Sequence, residues 1–140
     1  MLIGLIAIHW SHLEFMVAQT ICGLRGLSED EIHLWRGKDI APKLETLKEE
    51  AARLDPSDRD KMLAIAERIN VVKTERNTLS HGVCAYRDAQ GNEPTFVRFR
   101  RNAVSTPITT EWLDRTLDEI AELAAKLCGF LEARRLFPSE

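Results

Sequence analysis

The fold class predicted for this chain is a mostly helical, four- to five-helix up-and-down bundle with an inserted β-hairpin at about residues 83–101. Three observations predict it. Apolar residues recur at helical spacing through four long stretches. Only five Pro and seven Gly interrupt 140 residues. One stretch alone, 83–101, combines β-prone runs with a turn-rich middle. The absence of repeats and linkers makes residues 1–140 a single domain, long enough to bury about two-thirds of its unfolded surface.

The first helix is expected from about Leu2 to Leu24, with Leu2, Leu5, Ile6, Leu13, Val17 and Ile21 in register. Apolar side chains also spill onto its other faces, which marks a helix central to a bundle or at a subunit contact. Gly23 and Gly26 are expected to end it. Ser28-Glu29-Asp30-Glu31 reads as a capping box opening a short helix to about Trp35, closed by Gly37. Pro42 suits the first turn of a second helix, Pro42–Leu54, whose Leu44, Leu47, Ala51 and Leu54 share one face. Asp55-Pro56-Ser57 breaks the chain. A third long helix runs from about Ser57 to Leu79, with Met62, Ala66, Ile69 and Val72 inward and Gly82 placed to leave it in a left-handed conformation. Val83–Tyr86 and Thr95–Phe99 are the two β-prone runs. Thr109 or Thr110 caps the last helix, to about Arg135, with Leu113, Leu117, Ile120, Ala124, Leu127 and Leu131 inward.

Composition narrows function by exclusion. Forty-four percent hydrophobic and 29 percent charged residues are globular values, and the net charge of −3 argues against a protein that coats nucleic acid non-specifically. Residues 73–101 nevertheless carry six cations against three anions, a basic segment in an otherwise acidic chain. Cys22, Cys84 and Cys128 are odd in number and widely spaced, as expected of reduced, mostly buried thiols in a cytoplasmic protein. Met1–Ile8 is apolar but lacks a basic leader and is soon followed by His9, His12 and Glu14. It is expected to be a core helix rather than a membrane anchor.

The segment with a chemical reading is Arg76-Asn77-Thr78-Leu79-Ser80-His81. An Arg followed by a nearby His is cheap: 13 Arg and four His in 140 residues supply about one such match by chance. Context makes it more specific. Asn77 follows the Arg directly, the match closes a long amphipathic helix ahead of a Gly, and it opens the basic segment. Asn77 and His81 are four apart and share a helical face, so the amide can orient the imidazole. Arg76 and His81 are five apart, about 140° around an ideal helix. They converge on one ligand if the helix unwinds before His81, or if a second subunit supplies the missing partner across a two-fold axis. Imidazole at the negative end of a helix beside an obligate cation suits acid–base work on a phosphodiester. The plainer reading of the same residues is a helix end with a satisfied histidine.

Arg76-Asn77-x-x-x-His81 at the end of a helix in a small bundle resembles the HEPN superfamily. The resemblance implies a helical homodimer in which both copies of the motif meet at the interface. In active members it implies RNA cleavage without metal or other cofactor, the ribose 2′-hydroxyl attacking the adjacent phosphate. It also implies a place in toxin–antitoxin or other defence systems, with RNA and a cognate antitoxin as partners. Under it, Arg76 binds and polarises the phosphate, Asn77 orients, and His81 is general base or acid. Lys73, Arg98, Arg100 and Arg101 are the accompanying RNA-binding cations, and Glu14, an anion on an apolar helix, is a candidate partner of Arg76.

Other constellations carry less. His9 and His12 are three apart but have no third ligand at the right offset, so core or interface histidines are expected and no metal site. Phe96–Arg101 interleaves Phe with Arg as an RNA-contacting edge would, or as any half-buried strand with a charged outer face. Trp10, Trp35 and Trp112 read as core or interface anchors. Two alternatives to an HEPN-type endoribonuclease stay open: a non-catalytic module of the same fold binding a nucleotide, nucleic acid or protein, and a structural dimer whose Arg76 and His81 merely cap and pair.

Overall fold

A computed structural model describes residues 2–35, 37, 39–81, 83–85, 95–97 and 109–137. Among them are four α-helices: α1 (Leu2–Arg25), α2 (Ile40–Ala51), α3 (Pro56–His81) and α4 (Thr110–Arg134). A 3-10 helix, Glu29–Leu34, lies between α1 and α2.

Each helix begins or ends on local chemistry. After α1, Gly26 takes φ +64° and the Leu27 N–H reaches back to the Cys22 carbonyl at 2.9 Å, the left-handed exit that glycine permits. At the 3-10 helix, the Ser28 N–H and hydroxyl both donate to the Glu31 carboxylate, at 2.8 and 3.1 Å. Thr109 caps α4, its hydroxyl accepting from the Trp112 N–H at 3.2 Å. Gly23 was expected to help end α1 and does not. It lies buried inside the helix, where the Leu136 backbone and the Leu131 side chain come too close for any Cβ.

The helices close into a ring, α1 against α2 and α4, and α3 against α2 and α4. α1 sends Ile6, Trp10, Leu13, Val17 and Ile21 into the centre. They meet Leu44 and Leu47 of α2, Met62, Ala66, Ile69 and Val72 of α3, and Ile120, Leu127 and Leu131 of α4. Each such fully buried large aliphatic or aromatic side chain contributes about 1.5–3 kcal/mol. A smaller cluster of Ala18, Cys22 and Ile32 fastens the 3-10 helix to the back of α1. By length and composition α1 could cross a membrane, and within this fold it is the helix on which the core is built.

The expected fold class is corrected on two counts. First, the bundle is not up-and-down. Arg25 at the end of α1 pairs with Glu50 at the end of α2, while Trp10 and Glu14 share a pocket with Ile40 and Ala41 at the start of α2. The two helices therefore run parallel, because the 3-10 segment carries the chain back along α1 before α2 begins. α3 reverses direction, and Asp58–Arg134 and Arg68–Glu119 contacts set α4 antiparallel to it. Second, a hairpin inserted over 83–101 is not a structural unit of the described fold, whose packed body is helical. Among the described residues, extended geometry is confined to Val83–Ala85 and Thr95–Val97, three residues each with Val83 opposite Val97. A two-stranded ladder this short has no stability of its own. Gly82 and residues 98–101 lie outside the described residues.

Candidate functional site

α3 is the helix that builds the site, and it builds it near its end. Lys73, Arg76 and Asn77 are spaced three and four apart, so they share a face. That face meets α1 at Trp10 and Glu14, and the start of α2 at Asp39, Ile40 and Ala41. Together these residues line a cavity of about 330 Å³.

Arg76 is held from two sides. Its guanidinium carbon lies 5.6 Å from the centroid of the Trp10 ring, a cation–π distance, and its Nη1 donates to the Asn77 Oδ1 at 3.3 Å. Trp10 is 2% exposed, so the aromatic platform is fixed by the core. Asp39 caps α2 by backbone conformation, while its side chain makes no capping hydrogen bond and lines the cavity. The cavity therefore presents two cations and an amide on one wall and two carboxylates, Glu14 and Asp39, on the others. Such a lining fits a ligand carrying both an anion and hydrogen-bond donors.

Three of the residues singled out in the sequence thus come together with Glu14. Arg76, Asn77 and Lys73 are on one wall, and Glu14 faces them across the same space. The backbone of α3 stays helical through His81, which keeps His81 about 140° around the axis from Arg76. Its side chain lies outside the described residues, as do Arg98, Arg100 and Arg101. Asp39 was not anticipated, although its place just ahead of Ile-Ala-Pro is a helix-cap signal. The sequence marks Trp10 as a core or interface anchor, and in the fold it is both anchor and wall.

Glu75, next to Arg76 in sequence, belongs to the α3–α4 seam. Burial pushes its carboxyl above the usual carboxylate range, the charge of Glu119 adds to this, and Arg115 and Arg68 oppose it. One oxygen of each carboxylate is buried without a hydrogen-bond partner among the described residues. Burial likewise pushes the Cys22 thiol up, against the pull of Arg25, so this thiol stays protonated and inert. Among the described residues, no group of three or more His, Cys, Asp or Glu side chains is arranged to hold a metal ion.

Comparison with family models, curated proteins and solved structures finds no match to this chain.

Proposed function

We propose that this protein is a metal-independent endoribonuclease of HEPN type that acts as a homodimer, with Arg76, Asn77 and His81 as its catalytic residues. The observation that carries the reading is the gathering of Arg76, Asn77 and Lys73 on one cavity wall, with Trp10 and Asn77 fixing the guanidinium. A guanidinium on this wall suits the charge of a phosphate, and Lys73 adds a second cation for the neighbouring backbone. The unbroken helix backbone supports the dimer reading, because positions 76 and 81 lie about 140° apart on α3, an offset that a second copy across a two-fold axis would bridge.

In the proposed reaction the ribose 2′-oxygen attacks the adjacent phosphorus and the bond to the 5′-oxygen breaks. His81 takes the 2′-hydroxyl proton or delivers one to the leaving 5′-oxygen, and Arg76 stabilises the charge gathering on the phosphate. The products are a 2′,3′-cyclic phosphate and a 5′-hydroxyl. A role in toxin–antitoxin or other defence systems, with a cognate antitoxin as partner, accompanies this reading.

A second reading is a non-catalytic nucleotide-binding module, and the carboxylates of Glu14 and Asp39 in the same cavity favour it. They suit a base or ribose that donates hydrogen bonds better than a polyanion. Incubation of RNA with the protein in excess chelator separates the two, alongside His81→Ala and Arg76→Ala variants. Cleavage by the unmodified protein alone, leaving cyclic phosphate ends, is expected. Equal cleavage by all three overturns the assignment of the site, and cleavage by none favours the binding module.

A further inference from the structure

α3 and α4 face solvent together across a groove that the proposed site does not use. It encloses about 500 Å³. Its floor is apolar: Ala64 and Ile65 from α3, and Leu123, Phe130 and Ala133 from α4. Its rim is cationic: Lys61, Arg68, Lys126 and Arg134. Among the described residues, no carboxylate lines it. The partners of three rim cations, Glu119, Glu122 and Asp58, stand outside the lining, and Lys61 makes no ion pair among the described residues.

We propose that this groove docks an amphipathic helix with acidic flanks, contributed by a partner protein. The lining repeats at helical spacing on both walls, and it extends seven residues along α3 and eleven along α4. At 1.5 Å per residue that is about 10 and 16 Å, two to three turns of a third helix. Gly129 sits mid-helix with open space where a Cβ would be, so nothing keeps a docked helix at a distance. The choice of occupant rests on charge. A helix with carboxylates along its edges meets Lys61 and, by exchange of its exposed pair with Glu122, Lys126, with the half-exposed Arg68 beside them. Arg134 stays on Asp58. The exposed face of α1 on a second copy, with Ile3, Ile8 and Phe15, is apolar but offers no such carboxylates: Glu14 is the sole acid of α1 and faces the other cavity.

The test is selection from a display library of 14-residue helix-forming peptides on the full chain, followed by fluorescence anisotropy of the winners. Selected peptides should carry apolar residues at i, i+3 or i+4, and i+7, flanked by Asp or Glu. Gly129→Leu grows into open groove and raises helix propensity, so it plugs the site without threatening the fold. It should weaken binding by about ten-fold or more, as should Lys61→Glu with Lys126→Glu. No enrichment, a neutral or basic consensus, or binding indifferent to Gly129→Leu overturns the proposal. So does a 20-nucleotide single-stranded RNA that displaces the peptides and itself loses binding in Gly129→Leu, which would assign the groove to nucleic acid.

Discussion

The backbone carbonyl of Leu136 occupies the space into which a side chain on Gly23 would grow. α1 and the exit from α4 approach that closely because the residue between them has no Cβ. Backbone, unlike a flexible side chain, cannot step aside cheaply. Gly23→Ala should therefore destabilise the fold by about 1–3 kcal/mol, although alanine is the better helix former. In a domain of this size that is a melting temperature lower by about 3–10 °C. Gly129→Ala, where nothing crowds the new methyl, should move stability the other way by about 0.5–1 kcal/mol. Thermal melts of the two variants check the contrast.

The left-handed turn after α4 is made by Arg135, φ 52°, a conformation that a residue with a Cβ enters at a cost of about 1 kcal/mol. The turn is worth keeping because the Leu136 N–H then bonds the Leu131 carbonyl at 2.9 Å. Arg135→Gly should retain that bond and raise stability by about 0.5–1 kcal/mol in a urea titration. A loss would mean that the Arg135 side chain matters more than its backbone.

Two carboxylates should give opposite pH signatures. Arg134 donates to Asp58, through Nε at 2.6 Å and through Nη2, and holds its carboxyl below the usual range. Asp58 therefore contributes stability above its unfolded pKa of about 4, and that contribution is lost as pH falls through the lower folded value. Glu75 is raised, so its neutral form is the one the fold prefers. Its contribution is present below its unfolded pKa and is lost as pH rises through the higher folded value. Stability curves between pH 2 and 8 should show Asp58→Asn weaker than the parent at neutral pH, with the difference closing in acid. Glu75→Gln should be the more stable chain at neutral pH, with its advantage also vanishing in acid.

If Arg76 of one copy works with His81 of the other, inactive variants should complement. An Arg76→Ala chain mixed with a His81→Ala chain forms heterodimers in which one site keeps both residues. With random pairing, half the dimers are mixed and half their sites intact, so about a quarter of the parent cleavage rate should return. No recovery after verified subunit exchange would place both residues in one chain's site.

Lys73 stands on the Arg76 wall but one turn away from it. Lys73→Ala should raise KM for RNA several-fold while kcat changes little, because it anchors the backbone flanking the reaction. The slope of log affinity against log salt should fall by about one unit or less. An equal fall in kcat would instead put Lys73 at the scissile phosphate.

How much of this was readable beforehand follows from what periodicity records. Met62, Ala66, Ile69 and Val72 announce a buried face because their spacing matches a helix, and they are fully buried. Spacing says nothing of direction, so the parallel run of α1 and α2 was hidden in the return path through the 3-10 segment. Gly23 looked like a breaker, since composition cannot distinguish a glycine that ends a helix from one that lets another backbone in. At the site, the offsets of Lys73, Arg76 and Asn77 hold a common helical face, although the motif itself draws Asn77 toward His81. Trp10 and Asp39 could not, because they arrive from elements whose placement only tertiary packing decides.

The parallel run of α1 with α4 has a consequence for biosynthesis. Gly23 is matched by Leu131 and Leu136, more than a hundred residues later in the chain. Until α4 emerges from the ribosome, the most apolar helix of the chain has one long side bare. Closure of the core around α1 must wait for α4, and until then the apolar flank of α1 is a surface on which the growing chain can misassociate.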